Sequence, residues 1–206
     1  MKKLLLAMLV ALPLQAQDTV RIVHKNYSTV FSKSLRYPVL VEWWVTKARV
    51  LCVKGNERTD KFIPDPLLKD DTNLQADYTG SGLDRGHLAP AADFKCGTPE
   101  DMAETFYFSN MAPQYPSLNR GQWKALEEHI RLLAQQNDSI FVQAGCMGVS
   151  RRVKQLAVPV RCWKTYIVKR SGTKHGFIFP NVPNKSDYVD FTNYAVPFDS
   201  IVKIRK

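Results

Sequence analysis

Short apolar runs separated by polar, proline-bearing loops recur along the chain and predict β-strands. The runs are residues 39–45 (VLVEWWV), 48–53 (ARVLCV), 105–108 (TFYF), 139–143 (SIFVQ), 158–168 and 175–179. The longest loop covers residues 54–80 and contains several basic residues. Because long ordered loops in compact domains usually carry function, we expect this loop to contribute to a site.

Residues 119–136 predict one long helix. Its apolar positions step by three and four and form one stripe: Trp123, Leu126, Ile130 and Leu133. Asn119 with Gln122 three residues later resembles a capping box, and Pro116 separates the helix from the preceding turn. The helix is therefore expected to begin near Asn119, with the amide of Asn119 facing the sheet, where a polar group needs a partner.

Strands combined with one long helix predict an α+β fold with a mixed or antiparallel sheet. A doubly wound fold is disfavoured because strands and helices do not alternate regularly. The sequence contains no Gly/Ser linker, internal repeat or low-complexity tract, so residues 17–206 are predicted to form a single domain.

The first residues, MKKLLLAMLVALPLQAQD, have the pattern of a secretory signal peptide. Lys2 and Lys3 precede an apolar run that is too short to span a bilayer, and cleavage is expected after Ala16. The alternative, a first helix of the folded domain, would show a polar face that this segment lacks. Residues 1–16 are therefore predicted to direct the protein to the periplasm or the medium, with no membrane attachment.

Four cysteines in a chain predicted to be exported indicate two disulfides. Three pairings are possible. Cys146 with Cys162 is favoured because these residues flank a predicted strand, loop and strand, which leaves Cys52 for Cys96. The absence of a CxxC spacing argues against a zinc site.

The net charge of +10 favours a polyanionic partner, among which nucleic acid is the commonest. A basic surface that serves only solubility is equally compatible with this charge. Anionic lipid or polysaccharide would also fit it. Charge alone therefore does not identify the partner.

The segment SGLDRGHLAPAADF, residues 81–94, places Asp84, Arg85 and His87 within four positions. Hydrolysis of a phosphodiester needs a base for water, neutralisation of charge in the transition state and help for the leaving oxygen. A histidine is largely neutral near pH 7 and can accept a proton from water. Mg²⁺ can supply the positive charge that the transition state needs, and one arginine can bind two phosphate oxygens at once. These residue types therefore suit chemistry on a phosphodiester.

Three segments in order, DRGHLAPAADF, FYFSNMAPQ and LNRGQWKALE, resemble the DNA/RNA non-specific endonuclease family. The resemblance is closest over residues 77–127 and extends over residues 58–168. It implies a ββα-metal core embedded in a larger sheet. It also implies that His87 is the general base, that Asn119 is the direct ligand of a single Mg²⁺ whose other ligands are mostly water, and that Glu127 holds one of those water molecules. Mn²⁺ is a candidate substitute for Mg²⁺.

The same resemblance assigns roles to residues around these three. Arg85 and Arg58 would contact the scissile or a neighbouring phosphate. Asp84, Asn110 and Gln114 would fix the loop and the metal site. Because eight residues of helix span about 12 Å, Asn119 and Glu127 can share one hydrated ion only if Asn119 lies at or before the first turn.

Each of these residues has an ordinary alternative: His87 a surface histidine, Asn119 a helix cap, Glu127 a solvated helix residue. Their joint occurrence in this order favours a secreted or periplasmic endonuclease that cuts DNA and RNA with little regard to sequence and leaves 5′-phosphate ends. One alternative is a nucleic-acid-binding protein that does not cut, and another is an enzyme for a different phosphodiester or anionic polymer. The oligomeric state is open, and a homodimer is one option.

Overall fold

The strands pair into one large antiparallel sheet and two small ones. The computed structural model describes residues 18–68, 72–137, 139–183 and 190–204, and the signal peptide predicted at residues 1–16 lies outside these ranges. The strands are β1 (Thr19–Val23), β2 (Tyr27–Ser32), β3 (Tyr37–Thr46), β4 (Asp84–His87), β5 (Met111–Gln114), β6 (Ser139–Met147), β7 (Arg151–Val153), β8 (Leu156–Val158), β9 (Arg161–Val168), β10 (Lys174–Pro180) and β11 (Ala195–Val196). The helices are α1 (Lys47–Val50), α2 (Gln75–Tyr78), α3 (Pro99–Glu104), α4 (Trp123–Asn137) and α5 (Phe198–Ile204).

The large sheet has seven strands in the order β1-β2-β3-β6-β9-β10-β11. Each neighbouring pair in it is antiparallel. Three predicted strands are confirmed: residues 39–45 lie in β3, 139–143 in β6 and 175–179 in β10. The run at 158–168 is divided between β8 and β9. Pro159 lies at the break, because proline has no N–H group to donate to a strand ladder.

Two predicted strands are wrong. Residues 48–53 follow β3 and belong to α1 and to a surface segment in which Val53 is fully exposed. The apolar residues of this run therefore do not form a buried face of a strand. Residues 105–108 continue the turn after α3 instead. The N–H group of Phe106 donates to the carbonyl of Ala103, three residues earlier, and among the described residues Tyr107 forms only an isolated parallel bridge with Ile63.

Helix α4 lies across the large sheet and buries its apolar stripe there. Trp123, Leu126 and Ile130 are at most 2% exposed and pack with residues of β3, β6 and β9. Each such side chain contributes roughly 1.5–3 kcal/mol through burial. The predicted helix is confirmed over most of its length, but α4 begins at Trp123, after one π-helical turn, Leu118–Gln122.

Strands β4 and β5 form their own antiparallel pair next to the start of α4. The indole N–H of Trp123 donates to the backbone carbonyl of His87 at 3.1 Å and joins α4 to β4. Two strands and one helix connected in this way form a ββα core beside the antiparallel sheet. The predicted α+β class and single-domain organisation are confirmed.

Both favoured disulfides are present. Cys146 and Cys162 face each other as a cross-strand pair of β6 and β9. The Cys52–Cys96 bond connects the segment after α1 to the segment before α3. The pairing favoured from the sequence is confirmed.

Within the described ranges, no helix combines the length and the apolarity needed to cross a bilayer.

Candidate active site

Strand β4 carries three of the predicted site residues and is held by close packing against β5. Asp84 pairs with Gln114, and Gly86 lies opposite Ala112. A Cβ atom at Gly86 would lie 2.2 Å from Oε1 of Gln114, far inside contact distance. A side chain at position 86 would therefore have to displace the buried side chain of Gln114.

The imidazole of His87 is enclosed by two aromatic rings. The ring centroids of Phe62 and Phe106 lie 5.6 and 5.0 Å from that of His87, and His87 is 8% exposed. Within the described part of the chain, its Nε2 atom has no hydrogen-bond partner. Burial, and then the guanidinium groups of Arg58 and Arg85, lower the pKa of His87 to about 3. The ring is therefore neutral near pH 7 and can accept a proton at Nε2.

Asn119 lies in the π-helical turn, where Asp84 fixes its amide group. Nδ2 of Asn119 donates to Oδ2 of Asp84 at 2.9 Å, and Arg120 donates to both carboxylate oxygens at 2.7 and 2.8 Å. Burial would raise the pKa of Asp84, but hydrogen bonds from Arg120 and Asn119 hold it below its usual value. Because the amide nitrogen is engaged, the amide oxygen of Asn119 is the atom available to a cation.

The predicted capping box is wrong. The side chain of Asn119 bonds to Asp84 and not to the backbone of its own helix. At Gly121 the backbone leaves the helical region, with φ −99° and ψ −115°, so the periodicity of α4 cannot be extended back to Asn119. Asn119 instead lies before α4, in the same cleft as His87 and Glu127. This position meets the requirement for Asn119 and Glu127 to share one hydrated ion.

Glu127 lies in the second turn of α4. It is not a solvated helix residue, which is the ordinary alternative for this position. Its side chain is 12% exposed, and Oε1 accepts a hydrogen bond from Nζ of Lys164 at 2.8 Å. Burial raises the pKa of Glu127, and the ammonium group of Lys164 opposes that shift.

The two predicted phosphate-binding arginines rest on the aromatic rings that enclose His87. The guanidinium carbon of Arg85 lies 4.3 Å from the ring centroid of Phe62, and that of Arg58 lies 5.1 Å from the centroid of Phe106. Arg85 also donates to Gln75 at 3.0 Å. Both guanidinium groups therefore lie beside the imidazole.

The loop that carries Arg58 is anchored on both sides of this residue. Asn56 donates through its backbone N–H to the carbonyl of Lys95 at 2.8 Å. Further along, the buried carboxylate of Asp65 accepts hydrogen bonds from His24 and Ser109. The first part of the long predicted loop, residues 54–68, is therefore anchored on both sides of Arg58.

Basic residues dominate the cleft that these elements form. Arg58, Arg85, Arg120, Lys124 and Arg131 line it together with His87, Asn119 and Glu127. The cleft therefore presents a strongly positive surface to a phosphate backbone.

Asn110 and Gln114 lie outside the cleft lining. Asn110 holds the turn after β4, since it accepts from the N–H of Ala89 and donates to the carbonyls of Ala89 and Thr105. Gln114 is fully buried against Gly86, and within the described part of the chain its side-chain polar atoms have no hydrogen-bond partner. Asn110 is placed to fix the backbone next to His87, whereas the contact of Gln114 is steric.

Several residues at the site were not predicted. They are Phe62, Phe106, Arg120, Arg131 and Lys164. For Lys164 a signal exists, because a lysine in the middle of the apolar strand RCWKTYIV is unusual. The phenylalanines offer no such signal, since apolar residues are expected in any core.

The donors in the cleft suit a hard cation that retains most of its water. Among the described residues, no group of three or more histidine, cysteine or acidic side chains is arranged to hold a metal. Mg²⁺ is usually bound in proteins through one or two oxygen ligands and several waters. The amide oxygen of Asn119 and the carboxylate of Glu127 match that requirement.

Comparison with known proteins relates the whole chain to one family of nucleases. The family model described as DNA/RNA non-specific endonuclease matches residues 7–206. The chain is 31% identical over 202 residues to the mitochondrial Nuclease 1 of Schizosaccharomyces pombe, covering 87% of this chain and 62% of that protein. It is 35% identical over 198 residues to a nuclease of Nostoc, covering 89% and 70%.

A solved structure has the same fold. A chain in the crystal structure of the EndoG/EndoGI complex matches with a TM-score of 0.80, covering 90% of this chain and 83% of that one, at 24% identity. Bovine mitochondrial Endonuclease G is 34% identical over 143 residues, which are 61% of this chain and 47% of that protein. The chain thus spans between about half and seven tenths of the length of these three curated relatives.

Proposed function

The chain belongs to the DNA/RNA non-specific endonuclease family, and we propose that it is a Mg²⁺-dependent enzyme that hydrolyses phosphodiester bonds in both DNA and RNA. One observation carries the proposal. A neutral His87 with a free Nε2 lies in the same cleft as the amide oxygen of Asn119 and the carboxylate of Glu127.

His87 acts as the general base in this proposal. Its Nε2 accepts the proton of a water molecule that attacks phosphorus in line with the leaving 3′ oxygen, which leaves a 5′-phosphate end. The enclosing rings of Phe62 and Phe106 keep the imidazole in one orientation. Burial lowers its pKa, so the imidazole is unprotonated across the physiological pH range.

Asn119 and Glu127 would hold the cation, Mg²⁺ or Mn²⁺ in its place. When bound there, the ion would supply positive charge to the transition state and to the leaving oxygen. Asp84 holds the amide nitrogen of Asn119, which leaves the oxygen for this role. Asn110 keeps the backbone beside His87 in position.

Arg58 and Arg85 would bind the phosphate oxygens on the side of the cleft next to His87. Contacts of this kind fix the backbone of the substrate and carry no information about its bases. Cleavage of DNA and RNA with little sequence preference follows.

We also propose that the protein acts outside the cytoplasm, in the periplasm or the medium. The predicted signal peptide at residues 1–16 and the two disulfides support this location. Mitochondrial proteins and a bacterial nuclease are both among its relatives.

The test is incubation of plasmid DNA and a structured RNA with the protein from residue 17 onwards, in Mg²⁺ and in EDTA. Both substrates are expected to be cut only in Mg²⁺, with ends that carry 5′-phosphate. His87→Ala should lower the rate about 10²–10⁴-fold, the range for general acid–base groups. His175→Ala, at an exposed histidine of β10, is the matched control and should cut normally.

A wild-type protein that binds DNA and leaves it intact in every divalent cation would refute the proposal in favour of a binding protein. If the protein cleaves another anionic polymer or a different phosphodiester, and nucleic acid inhibits that reaction only weakly, the result would support an enzyme with a different substrate.

A further inference from the structure

Lys164 is a fully buried lysine at the centre of β9, on the face covered by α4. Its Nζ atom donates to Oε1 of Glu127 at 2.8 Å. The same atom lies 4.0 Å from the ring centroid of Trp123 and 5.7 Å from that of Trp43. The ammonium group therefore contacts one carboxylate and two indole rings.

Stability alone does not account for a lysine at this position. Removing an ammonium group from water costs several kcal/mol, and apolar residues of similar volume often replace buried ion pairs without loss. A methionine could fill the same space between the sheet and α4. The partner of Lys164 is, however, a residue that lines the cleft, which gives the pair a position relevant to the site.

A second buried pair supports the same part of the cleft. Asp93 is 2% exposed and accepts hydrogen bonds from Trp43 at 2.8 Å and from Arg131 at 3.1 Å. Arg131 lies one helical turn after Glu127 and also lines the cleft. Two cleft residues thus each contact a buried group of opposite charge: Glu127 contacts Lys164, and Arg131 contacts Asp93.

We propose that Lys164 is a positioning residue, which holds the carboxylate of Glu127 at the floor of the cleft in the orientation that a divalent cation requires. The inference rests on the proposed function, because Glu127 matters only if the cleft binds a cation. It extends the site to a residue that touches neither the substrate nor the ion. Without Lys164, Oε1 of Glu127 would lose the only partner found for it among the described residues.

The first experiment measures Mn²⁺ binding to the metal-free protein through the electron paramagnetic resonance signal of the free ion, so it does not depend on cleavage. Lys164→Met is expected to weaken Mn²⁺ binding about 10–100-fold, the usual effect of removing a partner of a metal ligand. Lys164→Arg should restore part of the loss. The matched control is Lys169→Met, at an exposed lysine that lies 5.8 Å from the ring centroid of Trp44, and it should bind as wild type does.

The second experiment asks whether Lys164 acts through Glu127. If it does, Glu127→Gln combined with Lys164→Met should bind Mn²⁺ within about threefold of Glu127→Gln alone, because coupled residues are not additive. The inference would be overturned if the loss of Mn²⁺ affinity in the double variant equalled the product of the losses in the two single variants. So would a folded Lys164→Met protein with wild-type Mn²⁺ affinity and an unchanged Mg²⁺ dependence of the turnover number.

Circular dichroism verifies that each variant is folded. If Lys164→Met does not fold, Lys164→Gln replaces it. The amide keeps a hydrogen-bond donor for Glu127 but removes the charge, so Mn²⁺ binding weaker than that of wild type is expected, by less than the roughly tenfold lower bound for Lys164→Met. Wild-type Mn²⁺ affinity in folded Lys164→Gln would overturn the inference. Failure of the wild type to cut nucleic acid would refute the proposed function. The Mn²⁺ measurements would still decide whether Lys164 supports a cation site.

Discussion

At the scale of single residues, a histidine that serves as a base near pH 7 must be neutral and must have a ring nitrogen that is not engaged in a hydrogen bond. His87 meets both conditions through its surroundings. Phe62 and Phe106 exclude water from the ring, and the guanidinium groups of Arg58 and Arg85 disfavour a second positive charge. The arginines that would bind phosphate therefore also help to keep the base unprotonated.

We predict that the ring resonances of His87 in the metal-free protein stay at neutral positions from about pH 8 down to about pH 5, because the pKa is lowered to about 3. An ordinary histidine titrates near 6.5. The unfolded chain therefore binds the proton first, and stability falls as the pH decreases from about 6.5 towards 3. NMR titration measures this directly, and a midpoint near 6.5 would contradict it.

The lowered pKa of His87 should also change the pH dependence of the free energy of unfolding. Between about pH 7 and pH 5, wild type should lose about 2 kcal/mol more free energy of unfolding than His87→Asn, which cannot titrate. Urea unfolding of both proteins at the two pH values tests the difference.

The sequence identifies the site residues that belong to the three motifs, but not most of the groups around them. His87, Asn119 and Glu127 can be recognised because three motifs occur in a fixed order, and the structure places all three in one cleft. Phe62 and Phe106 are separated from His87 along the chain, and their contact with it arises only from the fold. Lys164 is likewise 37 positions from Glu127.

At the scale of elements, β4 and β5 depend on one close contact. We predict that Gly86→Ala lowers the free energy of unfolding by about 1–3 kcal/mol, the usual cost of overpacking, because the new Cβ would meet Gln114. Gln114→Ala should relieve part of that cost. The doubly substituted protein would then be less destabilised than the sum of the single changes, by about 1 kcal/mol.

Urea unfolding of the four proteins gives the coupling. Gly172→Ala does not serve as a control, since Gly172 has a φ of +72° and alanine would be strained there. Gly121 does not serve either, because the backbone turn at this residue positions Asn119 ahead of α4. Additive effects of Gly86→Ala and Gln114→Ala would contradict the proposed contact.

The elements differ in how well the sequence predicts them. The stripe of α4 is long and regular, so its period identifies the helix despite the error at its start. Strands β4 and β5 have four residues each, and their sequences DRGH and MAPQ lack alternation, so periodicity cannot reveal them. Residues 48–53 show the opposite case, in which apolar residues occur on an exposed segment.

At the scale of the whole molecule, the two disulfides constrain loops of different length. The Cys52–Cys96 bond closes a separation of 44 residues and Cys146–Cys162 one of 16. On loop entropy alone these bonds stabilise the protein by about 4 and about 3 kcal/mol respectively.

We therefore predict that replacing Cys52 and Cys96 with serine lowers stability more than replacing Cys146 and Cys162 with alanine. Thermal and urea unfolding of the two variants test the order. Replacing all four cysteines should also reduce nuclease activity, and full activity in that protein would show that the disulfides are dispensable.

The anchored loop around Arg58 has a consequence for the rate of substrate binding. Asn56 and Asp65 hold the backbone on the two sides of Arg58, and Cys52 adds a covalent link nearby. The conformational entropy of this segment is consequently lost during folding and not when a phosphate arrives. Association then requires rotation of a side chain without ordering of a loop, and its rate should approach that of an encounter steered by the positive field of the cleft.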